Sequence, residues 1–115
     1  METKYYNKGD VIIEEGASDK NAYIILMGEV VVYMKNQKLA TLEENQIFGE
    51  IGLIDGRERT ASCVAGSDNV QVGVISPNNY DKLFRENPKV LLPILKILTD
   101  RLRSTIGFIE KLTTL

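Results

Sequence analysis

Residues 48–65 read Phe48-Gly49-Glu50-Ile51-Gly52-Leu53-Ile54-Asp55-Gly56-Arg57-Glu58-Arg59-Thr60-Ala61-Ser62-Cys63-Val64-Ala65. Closely spaced glycines, one carboxylate, a short apolar turn and then an arginine lie here between two β-rich runs. Gly49 and Gly52 let a backbone approach a ligand, or turn, without the steric penalty of a Cβ. Residues Glu50 to Ile54 predict one helical turn, whose N–H groups at the start attract an anion. Arg59 offers a planar fork of donors that suits two phosphate oxygens. Glu50 has no use for a phosphate, but it accepts a hydrogen bond from a sugar hydroxyl, as acidic residues do on the ribose in dinucleotide-binding domains. An anion clamp beside a hydroxyl acceptor is what a phosphorylated ribose requires. The plain alternative is a solvated Glu50, with Arg59 paired to Glu58 or Asp55 at the surface, where such pairs contribute little.

Outward from this segment the first two thirds of the chain read as short strands between glycine turns. Val11 to Ile13 is a short apolar run with turn residues on both sides. Ala22 to Met27 and Glu29 to Met34 are β-rich runs joined at Gly28, the composition of a hairpin or a bent strand. Lys38 to Leu42 is expected to return antiparallel across Asn36-Gln37. Thr60 to Ala65 and Val70 to Ile75 are expected to form another pair across Gly66-Ser67-Asp68-Asn69. Short strands at this spacing predict an antiparallel barrel or jelly roll.

The pattern changes at Ser76-Pro77. Serine as N-cap and Pro77 at the first helical position predict a short helix to about Glu86. After Asn87-Pro88 a long helix is expected from about Lys89 to Leu112, with Pro93 near its first turn, where a missing N–H costs least. Leu91, Leu95, Leu98, Leu102, Thr105, Ile109 and Leu112 step by four and three, a heptad seam with one polar member, and Ile94, Ile97 and Ile106 flank it. Such a helix packs either on its own barrel or on a second copy of itself. Its length of roughly 35 Å exceeds what so small a barrel covers, which favours self-association along the seam.

Composition narrows the chemistry. The 115 residues, 43% hydrophobic and 26% charged, suit one small domain with one core and no separate effector domain. A chain of this size buries roughly 60–70% of the surface its unfolded form exposes. Fourteen basic against sixteen acidic residues give a net charge of −2, which opposes a broad nucleic-acid-binding surface. Histidine is absent and Cys63 is the only cysteine, so zinc clusters, internal disulfides, haem sites and histidine-based hydrolysis are not expected, and neither is a resident metal or cofactor. No apolar run reaches membrane-spanning length, and Met1 to Lys8 is too polar for a signal peptide. These features predict a cytoplasmic binding module rather than an enzyme.

Residues 48–65 resemble the phosphate-binding cassette of the cyclic nucleotide-binding domain family, the β-roll of catabolite activators, protein kinase A regulatory subunits and cyclic-nucleotide-gated channels. Phe48, Gly49, Glu50, Ile51, Gly52, Leu53, Ile54, Arg59, Ala61, Ser62 and Ala65 match that pattern in register. Upstream, Lys8-Gly9-Asp10-Val11-Ile12, Glu15-Gly16 and Ala22 to Val30 match the family's early strands, so the likeness covers nearly the whole chain. It implies a mainly β fold with C-terminal helices (α+β): an antiparallel double-stranded β-helix, or jelly roll, over residues 1–75 with the cassette at 48–65, then a helical switch and dimerisation segment over 76–115.

The resemblance also implies a ligand, cAMP or cGMP. Glu50 is similar to the family glutamate on the ribose 2′-hydroxyl, and Arg59 to the arginine on the cyclic phosphate. Backbone N–H groups around Gly49, Glu50 and Ile51 complete the cradle, with Thr60 and Ala61 following the arginine. A hydroxyl at Thr60 bonds the phosphate or the exocyclic amine of a guanine; otherwise Thr60 is a plain β-branched strand residue. Family frequency favours cAMP over cGMP. Thr105 matches a helix threonine that touches adenine across the dimer in bacterial regulators of the family, or else it merely sets the register of the seam. Arg101 and Arg103 either stack on a base or face solvent, with solvent expected.

Departures from the family pattern are also expected: almost no helix before the first strand, and no winged helix-turn-helix after the long helix. The expected role is a cyclic nucleotide sensor that moves its C-terminal helices, alone or within a larger effector. Direct nucleic-acid binding and membrane binding are not expected. The alternative is a ligand-free relative serving as a dimerisation or protein-interaction scaffold.

Overall fold

The computed structural model describes residues 2–113, without the side chains of Val90, Pro93 and Ile94. Ile94, named above with the flanking stripe, therefore lies outside the described side chains. The chain divides into two compact units, Met1–Tyr80 and Asp81–Leu115.

The described residues of the first unit hold eight strands: β1 Glu2–Tyr6, β2 Val11–Ile13, β3 Ala22–Met27, β4 Val30–Met34, β5 Gln37–Leu42, β6 Ile47–Phe48, β7 Ser62–Ala65 and β8 Val70–Ile75. They form two antiparallel four-stranded sheets, ordered β1-β8-β3-β6 and β2-β7-β4-β5. This is the antiparallel roll that the strand spacing predicts. Alternation along the strands supplies its core: Val70, Val72 and Val74 of β8 and Tyr23 and Ile25 of β3 meet Val30 of β4, Leu42 of β5, and Cys63 and Ala65 of β7 in one cluster. Cys63 acts there as a small buried hydrophobe.

One expected strand pairing is absent. Thr60–Ala65 and Val70–Ile75 do not pair with each other. β7 lies between β2 and β4, whereas β8 lies between β1 and β3, because the 66–69 segment carries the chain from one sheet to the other. Gly28 makes the reverse crossing, between β3 and β4, so of the two readings of this junction the bent strand holds and the hairpin does not. Its φ of 89° is in the left-handed region, and a Cβ there would stand 2.9 Å from Val70 Cγ2. The β4–β5 hairpin is present, but its turn is Lys35-Asn36, both at positive φ (49° and 65°), and Gln37 already pairs with Met34. The sequence carries little signal for β1 or β6. β1 is polar and mostly exposed, and β6 has only two residues.

Helix α1 is Glu50–Asp55, α2 is Tyr80–Glu86 and α3 is Leu91–Thr113, the last preceded by a 3-10 turn over Pro88–Val90. Ser76 does start the helical bonding, since its carbonyl accepts from Tyr80 N–H at 3.0 Å. Asn79 Oδ1 reaches back to Ser76 N–H at 2.9 Å, the reciprocal half of a capping box. Residues 77–79 form a turn, and α2 proper begins at Tyr80. On α3 the seam residues Leu95, Leu102, Ile109 and Leu112 are each more than half exposed.

The core sets the stability of the first unit. Ile25 is fully buried in β3, and Ile25→Ala should lower the unfolding free energy by about 2–5 kcal/mol through lost burial and a residual cavity. A urea titration read by circular dichroism checks this, and a change under about 1 kcal/mol would contradict the packing described.

Candidate functional site

The site begins where β6 ends. Phe48 is fixed in the core, its ring stacked on that of Tyr23 with centroids 5.2 Å apart. Gly49 then turns the chain with φ 77° and becomes the N-cap of α1. A helix start at this point puts Glu50 in the first turn, where a carboxylate suits the positive end of the helix. Glu50 is only 4% exposed. The helix stops at Gly56, again left-handed, whose N–H returns to Gly52 O at 3.0 Å. Its apolar residues divide: Leu53 is buried, whereas Ile51 and Ile54 are exposed.

Beyond α1 the chain is stitched to the loop between β2 and β3. Lys20 Nζ donates to Arg57 O at 3.1 Å, Arg59 N–H to Ala17 O at 2.8 Å, and Gly16 N–H to Arg59 O at 2.8 Å. These bonds fix the Arg59 backbone on both sides and send its side chain inward, so that Arg59 is 5% exposed. The guanidinium spans the two segments. Nη1 donates to Gly49 O at 2.8 Å, Nη2 to Asp19 Oδ2 at 2.8 Å and also to Asn21 O, and Nε to Asp19 Oδ1 at 3.4 Å.

This geometry replaces the surface-pair alternative. Arg59 pairs with neither Glu58 nor Asp55; its ion-pair partner is Asp19, forty positions away, and it is buried. The glycines also acquire a nearer purpose than close contact with a ligand. A Cβ on Gly49 would lie 2.9 Å from Asn21 O and 3.1 Å from Arg59 Nη1, and one on Gly52 would lie 2.8 Å from Nη1. At Gly52 the guanidinium fills the space, whereas at Gly49 the Asn21 carbonyl, Ile13 Cδ1 and a φ of 77° exclude a side chain as well. Asp19 carried no sequence signal, since an acidic residue in a polar loop is ordinary.

The other expected residues divide between the two units. Gly49, Glu50, Ile51, Arg59, Thr60 and Ala61 come together in the cassette, with Thr60 exposed and Ala61 partly buried. Thr105 belongs to α3 in the second unit, and its Oγ1 donates to Arg101 O at 2.9 Å, a bond internal to the helix. Among the described residues no group of three or more His, Cys, Asp or Glu side chains could hold a metal ion. None of their helices is long and apolar enough to cross a membrane.

A buried carboxylate in the first turn of a short helix and a buried guanidinium just beyond it, in an antiparallel roll, can be compared with known proteins. The sequence model of the family described as "Cyclic nucleotide-binding domain" matches residues 3–87. The chain belongs to that family. As a cyclic nucleotide-binding domain it is 32% identical over 103 residues to a cGMP-dependent protein kinase of Plasmodium berghei, covering 90% of this chain and 11% of that one. It is 31% identical over 83 residues to a cAMP-dependent protein kinase regulatory subunit of Hypocrea atroviridis, covering 72% of this chain and 18% of that one. The domain thus spans less than a fifth of the length of either relative. Among solved structures, the Thermus thermophilus catabolite activator protein superposes with a TM-score of 0.87 at 26% identity, over 97% of this chain and 55% of that one.

The tight fit around Arg59 gives a direct test of the domain's cassette. Gly52→Ala should displace the guanidinium and lower stability by about 1–3 kcal/mol, the usual effect of overpacking. A thermal or urea melt reads the change, and a variant as stable as the parent would show that this contact is unimportant.

Proposed function

We propose that this chain is a regulatory sensor for a 3′,5′-cyclic nucleotide and that the cassette binds it. Arg59 takes the phosphate, Glu50 accepts from the ribose 2′-hydroxyl, and backbone N–H groups of Gly49, Glu50 and Ile51 line the phosphate. Thr60 and Ala61 flank the ring-closed sugar phosphate. The observation that supports the reading is the burial of a guanidinium and a carboxylate within ten residues of each other, both in the cassette, since withdrawing such groups from water carries a real cost. Relatives named for cAMP and for cGMP both stand near this chain. The reading keeps cAMP ahead, on its frequency in the family, with Thr60 as the group that would favour guanine.

Output belongs to the helices. Ligand contacts draw the cassette inward, Ile51, Leu53 and Ile54 repack, and α2 and α3 respond. A ligand shifts that balance only through contacts that differ between the two helix positions. The exposed seam Leu95, Leu102, Ile109 and Leu112 suits a homodimer through α3, in which Thr105 would reach a base in the partner's pocket. The role is regulatory and not catalytic, in the cytoplasm, within or beside a larger effector. A second reading, a ligand-free scaffold, is favoured by one observation: the donors of Arg59 already have protein acceptors.

Isothermal titration with cAMP, cGMP and 2′-deoxy-cAMP separates these readings. Saturable binding of a cyclic nucleotide is expected, with the 2′-deoxy analogue and the Glu50→Gln variant weaker by about tenfold or more. At a hundred times the dissociation constant the ligand should stabilise the fold by about 2.7 kcal/mol. No saturable binding and no thermal shift at millimolar ligand would leave the scaffold reading standing. Hydrogen exchange and sedimentation with and without cAMP address the output. Protection beyond Ser76 or the association state should change, and a ligand that binds while leaving both unaltered would remove the switching role.

A further inference from the structure

Arg59 carries five N–H hydrogens: one on Nε and two on each terminal nitrogen. Four of them are already engaged. The edge formed by Nε and Nη2 faces both oxygens of Asp19, at 3.4 and 2.8 Å. The end formed by Nη1 and Nη2 faces two backbone carbonyls, those of Gly49 and Asn21. A two-pronged grip on an anion needs a free pair of parallel N–H bonds, and each edge has an occupant.

The occupants differ in kind. The Gly49 and Asn21 carbonyls are main-chain groups beside elements of the sheet framework, β6 and β3. Asp19 is a side chain, 43% exposed, in the loop between β2 and β3. It also carries a charge, unlike the two carbonyls, and its two oxygens sit on the guanidinium edge that would suit two phosphate oxygens.

Resting on the cyclic nucleotide reading above, we infer that Asp19 is an internal stand-in for the ligand's phosphate, a latch that keeps Arg59 neutralised and buried while the pocket is empty and that the ligand must displace. The latch has two effects. It stabilises the unliganded cassette, because a buried guanidinium without an anion is strongly unfavourable. It also sets the affinity, since each binding event gives up one ion pair to form another. A ligand without a negative charge at this point cannot make the exchange, so the latch filters for anions. Displacement also releases the 17–21 loop, whose Lys20 holds Arg57 O, so the loop is the first part of the fold to register occupancy.

Asp19→Asn keeps the shape and removes the charge; Asp19→Ala removes the acceptor as well. Titration of cAMP and cGMP into the parent and both variants, with melts of each in the absence of ligand, tests the latch. The variants should melt earlier than the parent when empty, yet bind the nucleotide more tightly, by about tenfold where the latched state outweighs the open one by that factor. Binding by the variants but not by the parent would support the latch in its strongest form. Affinity that is unchanged or weaker in both variants, beside a parent that binds, overturns the latch alone. Absence of binding in all three overturns the cyclic nucleotide reading, and the latch with it.

Discussion

A guanidinium withdrawn from water must be given acceptors and a counter-charge, and in this molecule that requirement shapes everything near residue 59. Arg59 obtains them from three directions: a carbonyl at the start of α1, a carbonyl at the foot of β3 and a carboxylate in the preceding loop. Each supplier must be held at hydrogen-bonding distance. The left-handed turn at Gly49, the missing side chain at Gly52 and the backbone bonds that tie Arg59 to Gly16 and Ala17 serve that end. The cassette is therefore a packing solution around one cation.

The sheets make that precision affordable. β3 connects the core to the site, because Tyr23 and Ile25 are buried among the valines of β8 while Asn21, just before the strand, accepts from the arginine. Phe48 does the same from β6, anchored on Tyr23 immediately before the turn into α1. Interiors packed at this density do not deform smoothly, so a change in the cassette begins in the parts that hang outside the sheets. Those parts are α1, with Ile51 and Ile54 facing solvent, and the loop that carries Asp19.

Much of this was legible in the chain. The apolar strands, from Val11–Ile13 through Val70–Ile75, could be located because short β-rich runs stand between turn residues. Glu50 and Arg59 could be singled out because residues 48–65 resemble the family's cassette in register; the residue types alone left a surface pair open. Three things were not legible. β1 is polar and finds its place only by pairing with β8. The 66–69 turn has the composition of a hairpin but serves as a crossing between sheets, a choice made by tertiary packing and not by the turn residues. Asp19 is close to Arg59 only in the folded chain, and no local pattern marks a partner forty positions away.

The pairing of β1 with β8 has an architectural consequence. Glu2 lies opposite Val74 and Tyr6 opposite Val70, so the strand that opens the roll and the strand that closes it run side by side at one margin. A polypeptide could enter and leave through that margin like the two wires of a plug, so the roll can be spliced into a longer protein without prising its neighbours apart. It also puts the incoming and outgoing segments in one hydrogen-bonded ladder, so a pull on either is shared by both.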